Sequence, residues 1–199
     1  FNDEYSKEFK LYNYIELIKE SSNQNSQFQK AKKLLLSWDL KTNIENKAAP
    51  LGVCYLRDSW DNNKDFDLQK SDEILLSCSE KFMKKNLQWG DVNKLVRGKK
   101  ELAISGGPDI LRAIYGIPYK SNKLKAVAGD GLVIFVKWDK NGNQTTKSIH
   151  QYGNSEDEKS PHYDDQMELF TQERFKETFF LTSELSNNLA AELNINVVR

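Results

Sequence analysis

The chain has 199 residues, of which 38% are hydrophobic and 11% aromatic, and its 29 basic residues are balanced by 29 acidic ones. A chain without net charge has no general attraction to nucleic acid or to an anionic membrane surface, so we expect neither as a partner. No apolar run approaches the roughly 20 residues that span a bilayer, which excludes a membrane-spanning helix. The length suffices for one sizeable core or two small ones.

The first third of the chain has helical periodicity. Apolar residues recur at three- and four-residue steps in residues 5–19 and again in 28–38, which predicts two amphipathic helices. Residues 43–50 have the composition of a loop, and Pro50-Leu51-Gly52 has the proline and glycine that are typical of loops. Residues 51–56 are apolar and short, so the pattern leaves open whether they form a helix or a strand.

A further helix is predicted over residues 71–85, with Ser71 as its N-cap and two acidic residues in its first turn. Residues 89–113 have a loop-like composition with short elements. Within them, Gly106-Gly107-Pro108-Asp109 predicts a turn that leads into a helix over residues 110–115.

The second half is richer in strand-forming residues. Residues 131–138 are dense in Val, Ile, Phe and Trp, which predicts a buried strand. The Asn141-Gly142 pair predicts the turn of a β-hairpin, with the return strand over 144–152.

Three more elements are predicted near the C-terminal end. Ser160-Pro161 is typical of a helix start, and that helix is expected to run to about Arg174. Thr182 or Ser183 caps a last short helix, and residues 195–198 form a terminal strand. The chain is therefore expected to be a single segment of α+β class, mainly helical over residues 1–90 and strand-rich over 100–199.

Cys54 and Cys78 are the only cysteines. They could pair in an oxidising compartment or stay as two buried thiols, and the sequence leaves both open. They form no C-x-x-C motif, and with only His150 and His162 beside them they do not predict a zinc site.

His150 and His162 are the only side chains whose ordinary pKa lies near neutrality. One interpretation makes either of them a general base. The other, which we favour, is that each ties a loop down by hydrogen bonding, because neither has a serine or cysteine in an activated setting near it. The sequence contains no G-x-S-x-G, H-E-x-x-H or phosphate-loop motif.

Three polar turns are weaker candidates. Gly106-Gly107-Pro108-Asp109 could present backbone N–H groups to an anion, and Gly129-Asp130-Gly131 could aim a carboxylate into a site. Glu156-Asp157-Glu158 has the charge density of a calcium loop without its alternating ligand spacing. We favour tight turns for the first two and a surface loop for the third, so the residues alone predict no catalytic, cofactor-binding or metal-binding residue. The four tryptophans are interpreted as core or interface aromatics: Trp38, Trp60, Trp89 and Trp138.

Several stretches together resemble one family. Tyr-Gly-Asn-Ser at 152–155, followed by Ser-Pro-His-Tyr-Asp-Asp-Gln at 160–166, is similar to the C-terminal region of penicillin-acylase-type enzymes, which include acyl-homoserine-lactone acylases and aculeacin-type acylases. Other similar stretches occur in the same order as in that family: Leu-Ser-Trp-Asp at 36–39, Trp-Gly-Asp-Val at 89–92, Ser-Gly-Gly-Pro-Asp at 105–109, Ala-Gly-Asp at 128–130 and Ser-Ile-His-Gln at 148–151.

The resemblance implies a fold and a chemistry. Members are N-terminal nucleophile hydrolases with an αββα sandwich, made as precursors that cleave themselves into two chains. The larger chain then begins with the catalytic serine, whose own α-amine acts as the base. Members cleave an acyl chain from an amine through an acyl-enzyme and are usually periplasmic or secreted.

This chain departs from that pattern at its start. It begins with Phe1 rather than serine, and Asn2-Asp3-Glu4 does not resemble the start that carries the nucleophile. We therefore expect a piece of a longer protein, the C-terminal part of the larger acylase chain, with the catalytic serine, histidine and oxyanion-hole asparagine upstream. His150, Tyr152, Ser160 and His162 fall in what the resemblance makes scaffold.

The resemblance thus predicts a segment that is structural and inactive alone. Its expected partner is the remainder of the same acylase, meaning the small chain and the N-terminal part of the large chain. Because strands of the sandwich would come from that remainder, we expect an exposed apolar edge or face. The alternatives are a non-catalytic binding or scaffold module of the same fold, or an unrelated α+β domain with accidental matches.

Overall fold

The computed structural model describes residues 14–57, 70–108, 110–187 and 189. The helices of this part are α1 Ile15–Glu20, α2 Ser26–Leu36, α3 Ala49–Tyr55, α4 Ser71–Phe82, α5 Trp89–Val92, α6 Met167–Thr171 and α7 Thr182–Asn187. The strands are β1 Asn93–Arg97, β2 Lys100–Ala103, β3 Ile114–Pro118, β4 Leu124–Gly129, β5 Leu132–Trp138, β6 Gln144–His150 and β7 Lys176–Glu177. The predicted α+β class is confirmed. No helix of the described residues has the length and apolar content to cross a membrane.

Helix α2 confirms the helix predicted over 28–38. It begins two residues earlier because the side chain of Asn25 accepts hydrogen bonds from the backbone N–H groups of Gln27 and Phe28, at 2.8 and 3.2 Å. Phe28, Ala31 and Leu35 form a buried stripe at helical spacing. Burial of the Phe28 ring alone contributes about 2 kcal/mol of transfer free energy.

Helix α3 settles the open choice over residues 51–56 in favour of a helix. The expectation that Pro50-Leu51-Gly52 punctuates a loop is wrong, because Pro50 lies in the first turn of α3, where its missing N–H needs no partner. Gly52 lies inside the helix because the ring of Trp38 occupies the space that a Cβ would need. A proline and a glycine that look like loop signals are thus packing residues of a buried helix.

A disulfide joins α3 to α4. Cys54 and Cys78 are bonded, with their Cα atoms 5.9 Å apart, which settles the second open alternative in favour of pairing. Ser71 is the first residue of α4 and not its N-cap, since Lys70 holds that position. The Ser71 hydroxyl instead pairs with the hydroxyl of buried Tyr55 at 2.7 Å. Burial raises the pKa of Tyr55, so this pair stays protonated at neutral pH.

Two strands of the first sheet, β1 and β2, lie in the region that the sequence predicted to be loop-like. The strand order of this sheet is β2-β1-β4-β3, with β1 antiparallel to β2 and parallel to β4. The predicted helix over residues 110–115 is wrong, because Ile114–Pro118 is strand β3, antiparallel to β4. A short apolar run does not distinguish helix from strand, and here the pairing with β4 decides.

The second sheet has the order β5-β6-β7, and β5 and β6 form the predicted hairpin. Its turn runs from Asp139 to Asn143, with Gly142 at a φ of 83°. The prediction that β5 is buried is wrong. Among the described strands, β5 lies at the edge of its sheet, and alternate residues on one of its faces are 39% to 62% exposed: Leu132, Ile134, Val136 and Trp138.

The helix predicted from Ser160-Pro161 to Arg174 is much shorter. Residues 158–166 form turns, and only Met167–Thr171 is helical. The hydroxyl of Ser160 accepts the N–H of His162 at 3.1 Å, which makes a local turn in place of a helix cap. The predicted last short helix is confirmed as α7. The start of the first predicted helix, Trp60, Asp109 and the predicted terminal strand lie outside the described residues.

Two apolar cores hold these elements together. The first lies among α1–α5 and is centred on Phe28, Leu35, Leu51, Leu75 and Trp89. The second brings both sheets and α6 together, and its buried members are Leu95, Ile104, Ile114, Ala126, Ile149, Met167 and Phe170. The chain is long enough for one large core or two small ones, and its described residues form two.

Removing the disulfide is expected to weaken the helical part. Replacing Cys54 and Cys78 together by alanine should lower the free energy of unfolding by about 3 kcal/mol, because the cross-link restrains a loop of about 24 residues in the unfolded chain. Urea denaturation of the oxidised chain and of the double variant measures the difference. Reduced wild-type chain should unfold like the double variant, and equal stability of all three samples would contradict the expectation.

Candidate functional site

Residues 151–166 form a loop between β6 and α6, which we call the motif loop because it contains the residues of the family resemblance. It closes on itself through two backbone hydrogen bonds, from Ser155 N–H to the His162 carbonyl at 3.1 Å and from Gln166 N–H to the Tyr152 carbonyl at 2.7 Å. Gly153 lies so near the His162 carbonyl that a Cβ would overlap it. The motif loop is therefore a defined structure and not an open segment.

Arg97, at the end of β1, holds the motif loop against the first sheet. Its guanidinium lies 4.7 Å from the ring centroid of Tyr152 and 4.3 Å from that of Tyr163, and its Nη2 donates to the Ser155 carbonyl at 2.7 Å. Such cation–π contacts are worth about 0.5–2 kcal/mol each. Burial raises the pKa of Tyr152, and the charge of Arg97 opposes that rise. Nothing in the sequence around Arg97 predicts this role.

His150 lies at the end of β6 beside the buried Gln166. The two side chains form a hydrogen bond, with their Nε2 atoms 3.2 Å apart. Burial lowers the pKa of His150, the charge of Lys176 lowers it further, and Asp165 opposes both. His150 is therefore a neutral imidazole at pH 7, tied to the motif loop.

His162 lies within the motif loop and is exposed. Its Nδ1 is 2.9 Å from Oδ2 of Asp165, three residues on. In the described part of the chain, neither imidazole ring hydrogen-bonds to a serine, threonine or cysteine side chain. Both histidines therefore make hydrogen bonds of the kind that hold a loop in place. The prediction that this chain carries no catalytic residue stays a prediction.

The two glycine turns are structural. Gly106 has a φ of 91° and donates its N–H to the Thr42 carbonyl, while Gly107 donates to the Arg112 carbonyl, both at 3.2 Å, so neither N–H group faces an anion. At Gly129, with a φ of 126°, a Cβ would overlap the Ala113 carbonyl, which itself accepts the N–H of Asp130 at 2.8 Å. Both turns serve close backbone approach.

The acidic stretch at 156–158 makes local contacts. Asp157 Oδ1 accepts the N–H of Lys159 at 2.9 Å, and Tyr163 donates its hydroxyl to Glu158 at 3.4 Å. Across the described ranges, no three His, Cys, Asp or Glu side chains group as metal ligands.

Arg112 is a buried charge that sequence reasoning missed. It is 3% exposed, donates from Nη2 to the Phe170 carbonyl at 2.8 Å and lies 5.0 Å from the Phe170 ring centroid. Its Nε is 3.5 Å from a Glu173 carboxylate oxygen, and that oxygen also accepts the hydroxyl of Ser105 at 2.9 Å. This pair fastens α6 to the turn before β3. A single arginine between leucine and alanine carries no sequence signal for such a role.

Comparison with known proteins identifies the family. The sequence profile of the penicillin amidase family matches residues 4–187. The chain belongs to the penicillin amidase family. Among solved structures it is similar to a thermostable penicillin G acylase from Alcaligenes faecalis, with 11% sequence identity and a TM-score of 0.47. The match covers 98% of this chain and 48% of that one, so this chain spans about half the length of the acylase chain.

The burial of His150, which lowers its pKa, predicts a dependence of stability on pH. The folded pKa of His150 is lowered below the ordinary value of 6.5, so the unfolded chain takes up more protons as the pH falls through about 6.5. The stabilising contribution is present above that pH and is lost below it. Urea midpoints should fall from pH 7.5 to pH 5.5.

Two variants isolate the cause of that dependence. His150→Gln should reduce the fall in midpoint because it removes the titrating group. His162→Gln is the matched control, since it leaves His150 in place and should retain the wild-type dependence. An unchanged dependence in His150→Gln would show that other groups cause it.

Proposed function

We propose that this chain is a structural segment of an amide-hydrolysing acylase that removes an acyl chain from an amine through a serine acyl-enzyme. The observation that carries the proposal is the match of the penicillin amidase family to residues 4–187. The proposed segment is the C-terminal part of the large chain, inactive alone, and the nucleophilic serine belongs to sequence upstream of Phe1. The motif loop then serves as scaffold.

The exposed face of β5 supports a docking role for the segment. Leu132, Ile134, Val136 and Trp138 project from one face of an edge strand, and each is at least 39% exposed. A contiguous apolar row on an edge strand is a surface that proteins normally cover. We propose that the remainder of the acylase, its small chain and the N-terminal part of its large chain, covers this face.

The disulfide supports a compartment for the acylase, and the family supports a class of substrate. Cys54–Cys78 is a bond of the kind that forms in oxidising compartments, which supports a periplasmic or secreted acylase. For the substrate we propose the acyl amides of this family in general, of penicillin, acyl-homoserine-lactone or lipopeptide type.

The first test is the processing of the parent protein. Expression of the full gene followed by intact mass measurement and N-terminal sequencing should give two chains, the larger one beginning with serine and containing this segment near its end. A precursor whose serine is replaced by alanine is the control and should remain uncleaved. A single uncleaved wild-type chain would favour a non-catalytic binding or scaffold module of the same fold.

The second test concerns the face of β5. The 199-residue chain should self-associate or bind the purified remainder of the acylase in sedimentation velocity. Ile134→Lys should weaken that association at least about tenfold, because it places an unpaired charge in an apolar contact. Thr145→Lys adds the same charge to the opposite face of the same sheet and should leave association unchanged. A chain that is monomeric and does not bind the remainder would contradict the proposed docking.

A further inference from the structure

A cavity of about 210 Å³ lies between the helical part and the first sheet. Its apolar walls come from α3, α4, α5, β3 and β4, and they include Val53, Phe82, Trp89, Ile114 and Leu124. Apolar cavities of this size accept a single small ring. The cavity is separate from the motif loop and from the face of β5.

Two cationic side chains line the same cavity. Arg57 follows α3, Lys81 lies in the last turn of α4, and both are exposed to solvent. Lys81 Nζ is 5.1 Å from the ring centroid of Phe82, so the charge lies beside an apolar wall. Among the described residues that line the cavity, none is acidic. The charge at the cavity therefore favours a ligand with an anionic end.

The third feature is a buried hydrogen-bond acceptor. Asn93 lines the cavity and is 1% exposed. Its Nδ2 donates to the carbonyls of Ile104 and Gly106, at 3.0 and 3.2 Å, and these two bonds fix the orientation of the amide. Its Oδ1 therefore points away from them, to the side of Gly116, 3.7 Å from where a Cβ of Gly116 would lie.

The Asn93 oxygen has a free acceptor position. None of the described residues donates a hydrogen bond to Oδ1, although the residue is almost wholly buried. Buried polar atoms are normally paired, and one that is not paired within the protein is free to pair with a ligand. Gly116 and Leu124, which flank it, also line the cavity, and they pack so closely that a Cβ at Gly116 would overlap the Leu124 side chain.

We propose that this cavity binds a small aromatic carboxylate that carries a hydroxyl group away from its carboxylate. The carboxylate pairs with Arg57 and Lys81, the ring packs against Phe82 and Trp89, and the hydroxyl donates to Oδ1 of Asn93. The site is a binding site and not a catalytic one, and it stands independently of the proposed acylase function.

The test is a titration of the isotopically labelled 199-residue chain followed by nuclear magnetic resonance. The probe is 4-hydroxybenzoate, which has the ring, the carboxylate and the hydroxyl. Saturable shifts are expected at Val53, Gly116 and the Trp89 indole N–H. Benzoate, which lacks the hydroxyl, should bind about fivefold more weakly, the effect of one lost hydrogen bond. 4-Hydroxybenzyl alcohol, which lacks the carboxylate, should also bind more weakly.

Variants of the exposed cations test the anionic end without disturbing the fold. Arg57→Gln and Lys81→Gln should each weaken binding of 4-hydroxybenzoate about two- to fivefold, as expected for exposed charge pairs, and the double variant more. Lys85→Gln, an exposed lysine near the same helix end that does not line the cavity, should bind as wild type. Well-dispersed spectra of all variants confirm that they are folded.

Three results would overturn the proposal. The first is the absence of saturable shifts in the millimolar range, and the second is shifts confined to residues outside the cavity. The third is that the wild type binds 4-hydroxybenzoate and benzoate with equal affinity and that the cation variants bind 4-hydroxybenzoate as tightly as the wild type does. Loss of binding in the cation variants together with preserved binding in Lys85→Gln would support it. Acylase activity of the parent protein enters none of these measurements, so failure here leaves the proposed function untouched.

Discussion

The backbone carbonyl of Gly106 accepts hydrogen bonds from two buried side chains, and this shared acceptor joins the helical part to the first sheet. Trp89 Nε1 donates to it at 2.7 Å and Asn93 Nδ2 at 3.2 Å. Leaving either donor unpaired in the interior would cost about 1–3 kcal/mol, so the two parts are held in one relative position. The same bonds place the Trp89 ring as a cavity wall and turn the Asn93 oxygen toward the cavity.

Local signals account for the part of the fold that could be predicted. Helix α2 carries its own cap at Asn25 and its own apolar stripe, and the β5–β6 hairpin carries Asn141-Gly142 at its turn. Strand β1 carries no such signal, because it is short and its pairing with β4 joins residues far apart in the chain. Strand β3 is a short apolar run that does not distinguish helix from strand, and its antiparallel pairing with β4 decides. The density of apolar residues in β5 predicted a strand correctly. That density could not show whether the surface that covers β5 comes from this chain.

The candidate site also has features that the sequence predicts and features that it does not. The order of residues in the motif loop predicted the family, because a run of specific residues is information that periodicity does not contain. The contacts that hold this loop were not predictable, since Arg97 and Arg112 are single polar residues without a pattern. Asn93 is a further example. Only the fold shows that its amide is buried, that its Nδ2 donates a hydrogen bond within the protein and that the residue lines a cavity.

The two cores differ in how completely this chain closes them, and that difference bears on the proposed docking. The helical core is cross-linked by Cys54–Cys78, and its large side chains are almost wholly buried. The second core buries Ile149, whereas the opposite face of the same sheet exposes the row on β5. Exposed apolar area is a driving force for association, so a partner gains more by covering β5 than by covering the helices. This asymmetry favours a sheet contact as the way in which the proposed segment joins the rest of its acylase.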